Sequence, residues 1–247
     1  MSESQSLCER LDWDSQFFGV AIARTNIARI DDAAARRVLD WCRSEAIECL
    51  YALIDEGDAV SRGVLDEHGF TPVDVRVTLE LQPIPPAAPV PADTRAAQPD
   101  DVNALREIAA VSHRNSRFYN DGHFDPERCD ELYRVWIENS CRGWADHVAV
   151  VERQGVPIGY LTVHLRDTTA SIGLIAVDPR FKRQGVGRHL LAGALGWISN
   201  RSVSRVTVVT QGHNDESQGF FQNAGFRVIS RAVWYHSWLT QRTNATA

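Results

Sequence analysis

The chain has 247 residues, with 26 Lys and Arg against 32 Asp and Glu for a net charge of −6, and its 44% apolar and 23% charged content is that of a globular protein. The length fits one large domain or two small ones with a sizeable core. The acidic balance argues against a broad nucleic-acid surface, which needs an excess of Lys and Arg on one face.

No apolar run approaches the roughly 18 residues of a membrane helix. Residues 1–6 are polar and carry no secretory apolar region. Five cysteines (8, 42, 49, 129, 141) lack a Cys-x-x-Cys pair, so neither a disulfide framework nor a zinc knuckle is indicated. The eight histidines show no metal spacing, and no metal is expected. A soluble cytoplasmic protein is the expectation.

In chain order, residues 32–44 can cap and form a helix with Ala33, Val38, Leu39 and Cys42 on related faces. Residues 50–54 read as a buried strand. A helix over 60–68 is stopped by Gly69, and 73–81 alternates as a strand with Val73, Val75, Val77, Leu79 and Leu81 in step. That half has no Ser/His/Asp or metal-ligand constellation. Residues 82–91 then hold five of the ten prolines and read as a stiff, extended connector. The expected division is 1–82, a linker over 83–93, and a larger domain over 94–247.

After the connector, Asp100 and Asp101 begin a helix carrying Val102, Leu105, Ile108, Ala109 and Ser112. A second helix is expected over 126–139, with Leu132, Val135 and Trp136 apolar. Strand-like runs follow at 147–153, 159–165 and 171–177, the first two joined by a turn at Gln154-Gly155. A Gly-containing loop, a helix over 188–199, a strand over 206–210, a short helix over 215–224 and a strand near 229–239 complete the pattern.

A weak internal repeat is present. Glu67-His68-Gly69-Phe70 before one alternating strand echoes Asn223-Ala224-Gly225-Phe226 before another. In each, glycine ends a helix in the left-handed conformation and phenylalanine turns the chain towards a sheet. Any helix-Gly-strand junction can look like this, so the pattern alone leaves a common origin of the two halves open.

The most informative stretch is 172–191. It reads as a strand, then Asp178-Pro179-Arg180-Phe181-Lys182-Arg183-Gln184-Gly185-Val186-Gly187, then a helix with Leu190, Leu191, Ala194, Leu195 and Ile198 on its packing face. Gly185 and Gly187 allow close backbone approach, and the helix start offers free N–H donors. Four basic residues (180, 182, 183, 188) against one acid give a local charge of +3, suited to a diphosphate. The third glycine of a dinucleotide fingerprint and the Gly-Lys-Ser/Thr of a P-loop are missing, so the pattern by itself supports a phosphate-binding loop. Asn214 is a natural N-cap for the next helix, with Asp215 and Glu216 in its first turn.

Val177-Asp178-Pro179, Arg183 to Arg188, then Asn214 with Ser217, Phe220, Phe221 and Gly225-Phe226 resemble the acetyl-CoA site of GCN5-related N-acetyltransferases. That family's loop normally reads Gln/Arg-x-x-Gly-x-Gly/Ala, and Lys182 at the first position is a conservative departure. The resemblance covers about 94–239. A narrower match spans nearly the whole chain. Leu11-Asp12-Trp13-Asp14-Ser15-Gln16-Phe17-Phe18-Gly19-Val20, Ser116-Arg117-Phe118, Trp136-Ile137-Glu138-Asn139 with Arg142-Gly143, Ile172-Gly173-Leu174 and Val209-Thr210-Gln211 are similar to members that acetylate the amine of a dTDP-4-amino-4,6-dideoxyhexose.

The resemblance implies an α/β (α+β) fold, a central mixed twisted sheet flanked by helices, with a smaller, cut-down relative of the same fold over 1–82. It implies acetyl-CoA as co-substrate, a nucleotide-activated amino sugar as acceptor, and room for a homodimer. Direct attack of the amine on the thioester in a ternary complex is the implied mechanism. Backbone N–H groups near Ile175, Ala176 and Val177 would bind the carbonyl oxygen. Loop N–H groups of Arg183, Gln184, Gly185, Val186, Gly187 and Arg188 would hold the pyrophosphate, the amide of Asn214 would bind the pantetheine arm or a nearby CoA group, and Lys182, Ser217 and Phe220 would join them in binding the co-substrate.

Phe221 stands where many relatives carry a tyrosine that protonates the departing thiolate, and it has no hydroxyl to donate. Tyr235 and His236 on the last strand are substitute acids, although alternation argues against both facing the site. On the acceptor side, Arg117, Tyr119 and His123 lie in a segment that commonly frames the acceptor pocket. His164 is either a base or a satisfied core histidine.

Overall fold

The computed structural model describes residues 7–86 and 89–239. Residues 1–6, and Ala87 and Ala88 within the proline-rich stretch, lie outside them. The first half runs β1 (Cys8–Arg10), α1 (Asp12–Phe18), β2 (Ile22–Thr25), α2 (Asp32–Ser44), β3 (Cys49–Asp55), α3 (Ala59–Glu67) and β4 (Thr71–Leu81). The second half begins β5 (Thr94–Ala96), α4 (Val102–Ser112), α5 (Arg117–Asp121), α6 (Pro126–Asn139), β6 (His147–Arg153) and β7 (Val156–Arg166). It ends with β8 (Thr169–Val177), α7 (Val186–Ser199), β9 (Arg205–Gln211), α8 (Asp215–Asn223) and β10 (Arg227–Trp238).

Every helix and strand expected from periodicity is present, with ends shifted by a few residues. A 3₁₀ turn, Pro99–Asp101, precedes α4, and α7 starts at Val186. The short elements β1, β2, β5, α1 and α5 have no counterpart in the expected list. Strands of three or four residues and helices of five or seven are too short to show a period.

All ten strands form one mixed sheet in the order β1-β2-β3-β10-β4-β9-β8-β7-β6-β5. The sheet is continuous across the proline-rich stretch, which carries no strand or helix in its described residues between β4 and β5. Its centre shows how the halves are joined. β2 and β3 pair in parallel, as do β8 and β9, and each pair is followed in the chain by a helix and an antiparallel strand. Those last strands are exchanged: β10 lies against β3, and β4 lies against β9.

The repeat seen in the sequence is therefore a repeat in space. Asp58 caps α3 by accepting from Ser61 N, and Asn214 caps α8 by accepting from Ser217 N. Gly69 and Gly225 both have positive φ, +79° and +93°. Phe70 N donates to Leu65 O and Phe226 N to Phe221 O, each at 3.0 Å.

Alternation assigns the two faces of the sheet. On β4, Val77, Leu79 and Leu81 join Leu190, Leu191, Ala194 and Ile198 of α7 with Phe221 and Phe226 in one core. Val233 and Tyr235 of β10 continue that side into a second core with α2, α3 and β3. The opposite face carries α1, α4, α5 and α6 around Tyr51, Tyr160, Phe118, Leu132 and Trp234. That face also receives Asp74 and Arg76 of β4.

Candidate active site

The β8–β9 ladder holds from Thr169↔Arg205 to Ile172↔Val208 and then stops, although β8 continues to Val177 and β9 to Gln211. The diverging ends open a cleft of about 1000 Å³ between them. On β7, Leu161 and Val163 face Ile175 and Ile172, so β8 carries one extra residue, a bulge at Gly173-Leu174. Leu174 N donates to Thr162 Oγ1 at 2.8 Å across that bulge. The His164 ring packs against the bare backbone of Gly173, where a Cβ would stand 2.6 Å from its Nε2.

Beyond the bulge, Asp178 N donates to Ile158 O, which makes Tyr160–Ala176 the next hydrogen-bonded pair of the ladder. The backbone groups of Ile175 and Val177 consequently point the other way, into the β8–β9 opening. Ala176 is corrected on this point: its N–H belongs to the β7 ladder, and it contributes to the cleft wall only as lining.

The loop entering α7 fits a diphosphate. Arg183 and Gly185 both have positive φ (63° and 86°), curling the backbone into a concavity. The N–H groups of Arg183, Gln184, Gly185, Val186 and Gly187 have no partner among the described residues, and no side chain caps α7. Lys182, Arg183 and Arg188 line the cleft with no ion pair among the described residues. Arg180 is engaged elsewhere, since its guanidinium is held by Asp178 at 2.6 Å and draws that carboxyl below the usual range. Gln184 also turns away, its Oε1 accepting from Arg153 Nη1 at 2.9 Å, and it does not line the cleft.

Val186, Gly187, Asn214, Ser217, Phe220 and Phe221 line the cleft with Ile175 and Val177. The oxygen of Asn214 caps α8 by accepting from Ser217 N at 3.1 Å and its NH₂ donates to Gln211 Oε1 at 3.4 Å, which leaves one amide hydrogen for a ligand. Phe221 is buried against Phe220 and Phe226, with ring centroids 5.0 and 5.2 Å away. Tyr235 does not reach this site. It is packed in the core of α2 and α3, and its hydroxyl accepts from Arg62 Nε at 3.3 Å.

The other end of the cleft is lined by Ser112, His113, Asn115, Tyr133 and Trp136 of α4, α6 and the turn between α4 and α5. His113 stacks on Tyr133 at 4.6 Å and shares a 2.9 Å hydrogen bond with the Tyr160 hydroxyl. Burial pushes its pKa down to about 4, so it is neutral near pH 7. No signal in the sequence marks His113 as a cleft residue, because the turn that delivers it is irregular.

None of Arg117, Tyr119, His123 and His164 is among the lining residues. The Tyr119 hydroxyl donates to Asp130, and His123 bonds Asp121 at 2.7 Å. His164 Nδ1 meets Trp144 O at 3.0 Å behind the bulge. Arg117 Nη1 donates to His236 Nε2 at 3.0 Å, which leaves the imidazole neutral with its Nδ1–H donated to Asp121. Burial pushes His236 down to about 4. Cys49, Asp121 and His236 bring three ligand-type atoms within 4.8 Å. The Nδ1–H of His236 and the burial-raised thiol of Cys49 fill that cluster with protons instead.

The comparisons with known proteins agree with this geometry. The profile of the Acetyltransferase (GNAT) family matches residues 104–226. A dTDP-fucosamine acetyltransferase of Escherichia coli is 32% identical, with 92% of this chain and 96% of the relative covered. This chain belongs to the GNAT family of acetyltransferases. A Bacillus subtilis spore coat polysaccharide biosynthesis protein, SpsD, is 30% identical over 57% of the chain, which spans only 49% of that relative.

Among solved structures, a GCN5-related N-acetyltransferase from Sphaerobacter thermophilus superposes with a TM-score of 0.65 at 16% identity, covering 94% of this chain and 76% of that one. A tandem GNAT protein from the clavulanic acid biosynthesis pathway gives 0.59 at 16% identity, covering 90% and 77%. Both share the fold. As a GNAT enzyme the protein is an acyltransferase with acetyl-CoA as co-substrate, and the uncapped α7 start with its three free cations fits that molecule's diphosphate. None of the helices among the described residues is long and apolar enough to cross a membrane.

Proposed function

We propose that this GNAT enzyme moves the acetyl group of acetyl-CoA to the amine of a nucleotide-linked amino sugar of the dTDP-4-amino-4,6-dideoxyhexose type. The observation that carries the reading is the similarity to dTDP-fucosamine acetyltransferase over nearly the full length of both chains. The two-ended cleft supports it, with a diphosphate-binding loop at one end and a polar, aromatic wall at the other.

In the proposed reaction the amine attacks the thioester carbon directly, forming the amide as the C–S bond breaks. The N–H groups of Ile175 and Val177 point into the opening, where the carbonyl oxygen gains charge. The amine loses a proton to water, and the thiolate leaves. With phenylalanine at 221 the leaving sulfur takes its proton from solvent or from another lining group. A thiol of ordinary pKa, about 8.5, leaves tolerably without full protonation.

The test is CoA release from acetyl-CoA across a panel of nucleotide-linked and free amino sugars, with other small amines alongside. Turnover confined to nucleotide-linked amines supports the proposal. Turnover with other amines alone would redirect it, and acetyl-CoA binding without thiol release on any amine would mark a silent acyl-CoA-binding protein.

A further inference from the structure

The acceptor end of the cleft is built from uncharged side chains, Ser112, His113, Asn115, Tyr133 and Trp136, the histidine being kept neutral near pH 7 by burial. A diphosphate finds no cation among these lining residues. An uncharged sugar ring can pack its C–H face on Tyr133 and Trp136, which meet edge to face at 5.3 Å. Its orientation then rests on the few polar groups of the wall, and His113 is the one whose polarity the fold dictates.

Tyr160 does this. It is fully buried and pairs across the β7–β8 ladder with Ala176, so both side chains stand on the face covered by α4 and α6. Ala176 lies between Ile175 and Val177, whose backbone groups point into the β8–β9 opening. The hydroxyl of Tyr160 has one hydrogen bond among the described residues, to His113 Nε2 at 2.9 Å. Burial decides the direction of that bond. If Nε2 carried the proton, Tyr160 would accept, and its own O–H would be sealed in the core with no acceptor among the described residues. With the O–H donated to Nε2, that donor is satisfied and the histidine proton sits on Nδ1. Nδ1 has no partner among the described residues and is not among the buried unsatisfied atoms, so it is open to the cleft that the ring lines.

We infer that His113, fixed by Tyr160 as the Nδ1–H tautomer, is a hydrogen-bond donor to a ring hydroxyl of the acceptor sugar and so determines which sugars are taken. This rests on the proposed function. A pyranose lying on Tyr133 and Trp136 sets a hydroxyl oxygen against Nδ1 and turns its amine towards Ile175 and Val177. The donor favours sugars with an oxygen at that ring position, and the neutral imidazole does not repel the amine before it sheds its proton. That proton goes to water, because Nδ1 already carries one.

Two measurements on the full chain test this. In the first, protein labelled with nitrogen-15 at histidine is studied by long-range proton–nitrogen correlation near pH 7, the His113 signals being those lost in both His113→Phe and His113→Asn. Expected is the Nδ1–H tautomer in the wild type, giving way to a mixture with Nε2–H in Tyr160→Phe. A wild type with its proton on Nε2 would overturn the inference, whatever the enzyme acetylates.

In the second, steady-state kinetics compare a dTDP-linked 4-amino-4,6-dideoxyhexose with its 2-deoxy and 3-deoxy analogues. His113→Phe keeps an aromatic ring against Tyr133 and removes the donor, and His113→Asn returns an N–H close to the Nδ1 position. Expected is a rise of about threefold to tenfold in KM for the parent sugar in His113→Phe, and a smaller one in His113→Asn, with the acetyl-CoA KM within about twofold. One of the two deoxy analogues should show the same loss with the wild type and no further loss with His113→Phe. A merely structural histidine would weaken all three sugars alike, and that result, or an unchanged KM in His113→Phe, would overturn the assignment. An Nδ1–H tautomer in a wild type that acetylates no nucleotide-linked amine would remove the proposed function, and with it the sugar as partner, while the donor itself would stand.

Discussion

The ring of Phe220 on α8 lies over Gly187 in the first turn of α7, so close that a Cβ on Gly187 would stand 3.3 Å from Phe220 Cε2. The body of α8 therefore touches the start of α7, and the two helices bound the co-substrate cleft together. Gly187→Ala needs a shift of a few tenths of an ångström, which the ring can supply, whereas Gly187→Val adds two methyls against it. Acetyl-CoA affinity measured by calorimetry should fall only slightly for the alanine variant and about tenfold or more for the valine variant. Equal affinities would mean the contact does not shape the cleft.

Gly185 has a different constraint. Its space is open, but its φ of +86° is strained for any side chain. Gly185→Ala should cost about 1 kcal/mol of stability and tilt the free N–H groups. Gly185→Glu adds a repelling charge and should abolish acetyl-CoA binding. Retained affinity in the glutamate variant would sink the assignment of this loop to the diphosphate.

Phe221 tests the missing acid. Phe221→Tyr restores a hydroxyl to a ring that both lines the cleft and is buried. If protonation of the thiolate limits turnover, kcat should rise by about tenfold or more with the acetyl-CoA KM nearly unchanged. Tyr235→Phe should leave kcat alone and instead cost about 1 kcal/mol of stability, through the lost bond to Arg62. A fall in kcat for Tyr235→Phe would contradict its place in the α2–α3 core.

Asp178 braces the loop through Arg180, accepting from both its backbone N (2.9 Å) and its guanidinium. Asp178→Ala should raise the acetyl-CoA KM severalfold by freeing the turn before Lys182, while Arg180→Ala alone should do less. Unchanged KM in Asp178→Ala would show that the loop holds its shape without the brace.

His113 and His147 are held neutral, each pushed by burial to about 4. Their folded pKa values lie below the unfolded value, so the unfolded chain binds more protons. Stability is then full above pH 6.5 and is lost as pH falls from there towards 4. Urea midpoints at pH 7.5, 6, 5 and 4.5 should decline, and His113→Gln should flatten the decline. A midpoint that stays level to pH 5 would contradict the burial of these rings.

Much of the fold was legible because long elements announce their period. The alternation of Val73 to Leu81, the packing face of α7 and the Gly-Phe junctions at 69–70 and 225–226 are local facts of side-chain spacing and left-handed glycine. The co-substrate loop was legible for the same reason, since its N–H groups, glycines and cations lie within one short segment. Even there, the bracing of the loop by the side chains of Arg180 and Gln184 was not visible, since it depends on partners the spacing does not reveal.

The acceptor side was not legible. Ser112 and His113 come from the end of α4, Asn115 from the turn after it, and Tyr133 and Trp136 from α6, and only the packing of α4 and α6 on one sheet face brings them together at that end of the cleft. The exchange of β4 and β10 was equally hidden. Both strands carry the same alternating pattern and either could complete either half, so local propensity is satisfied both ways. What chooses between them is the joint burial of two cores, Val77 and Leu79 against α7, and Val233 and Tyr235 against α2 and α3. The sequence by itself determined which segments are strands and helices and where a diphosphate can be gripped. Which strand lies beside which, and what faces the acceptor, is a property of long-range contacts that exists only once the chain has closed on itself.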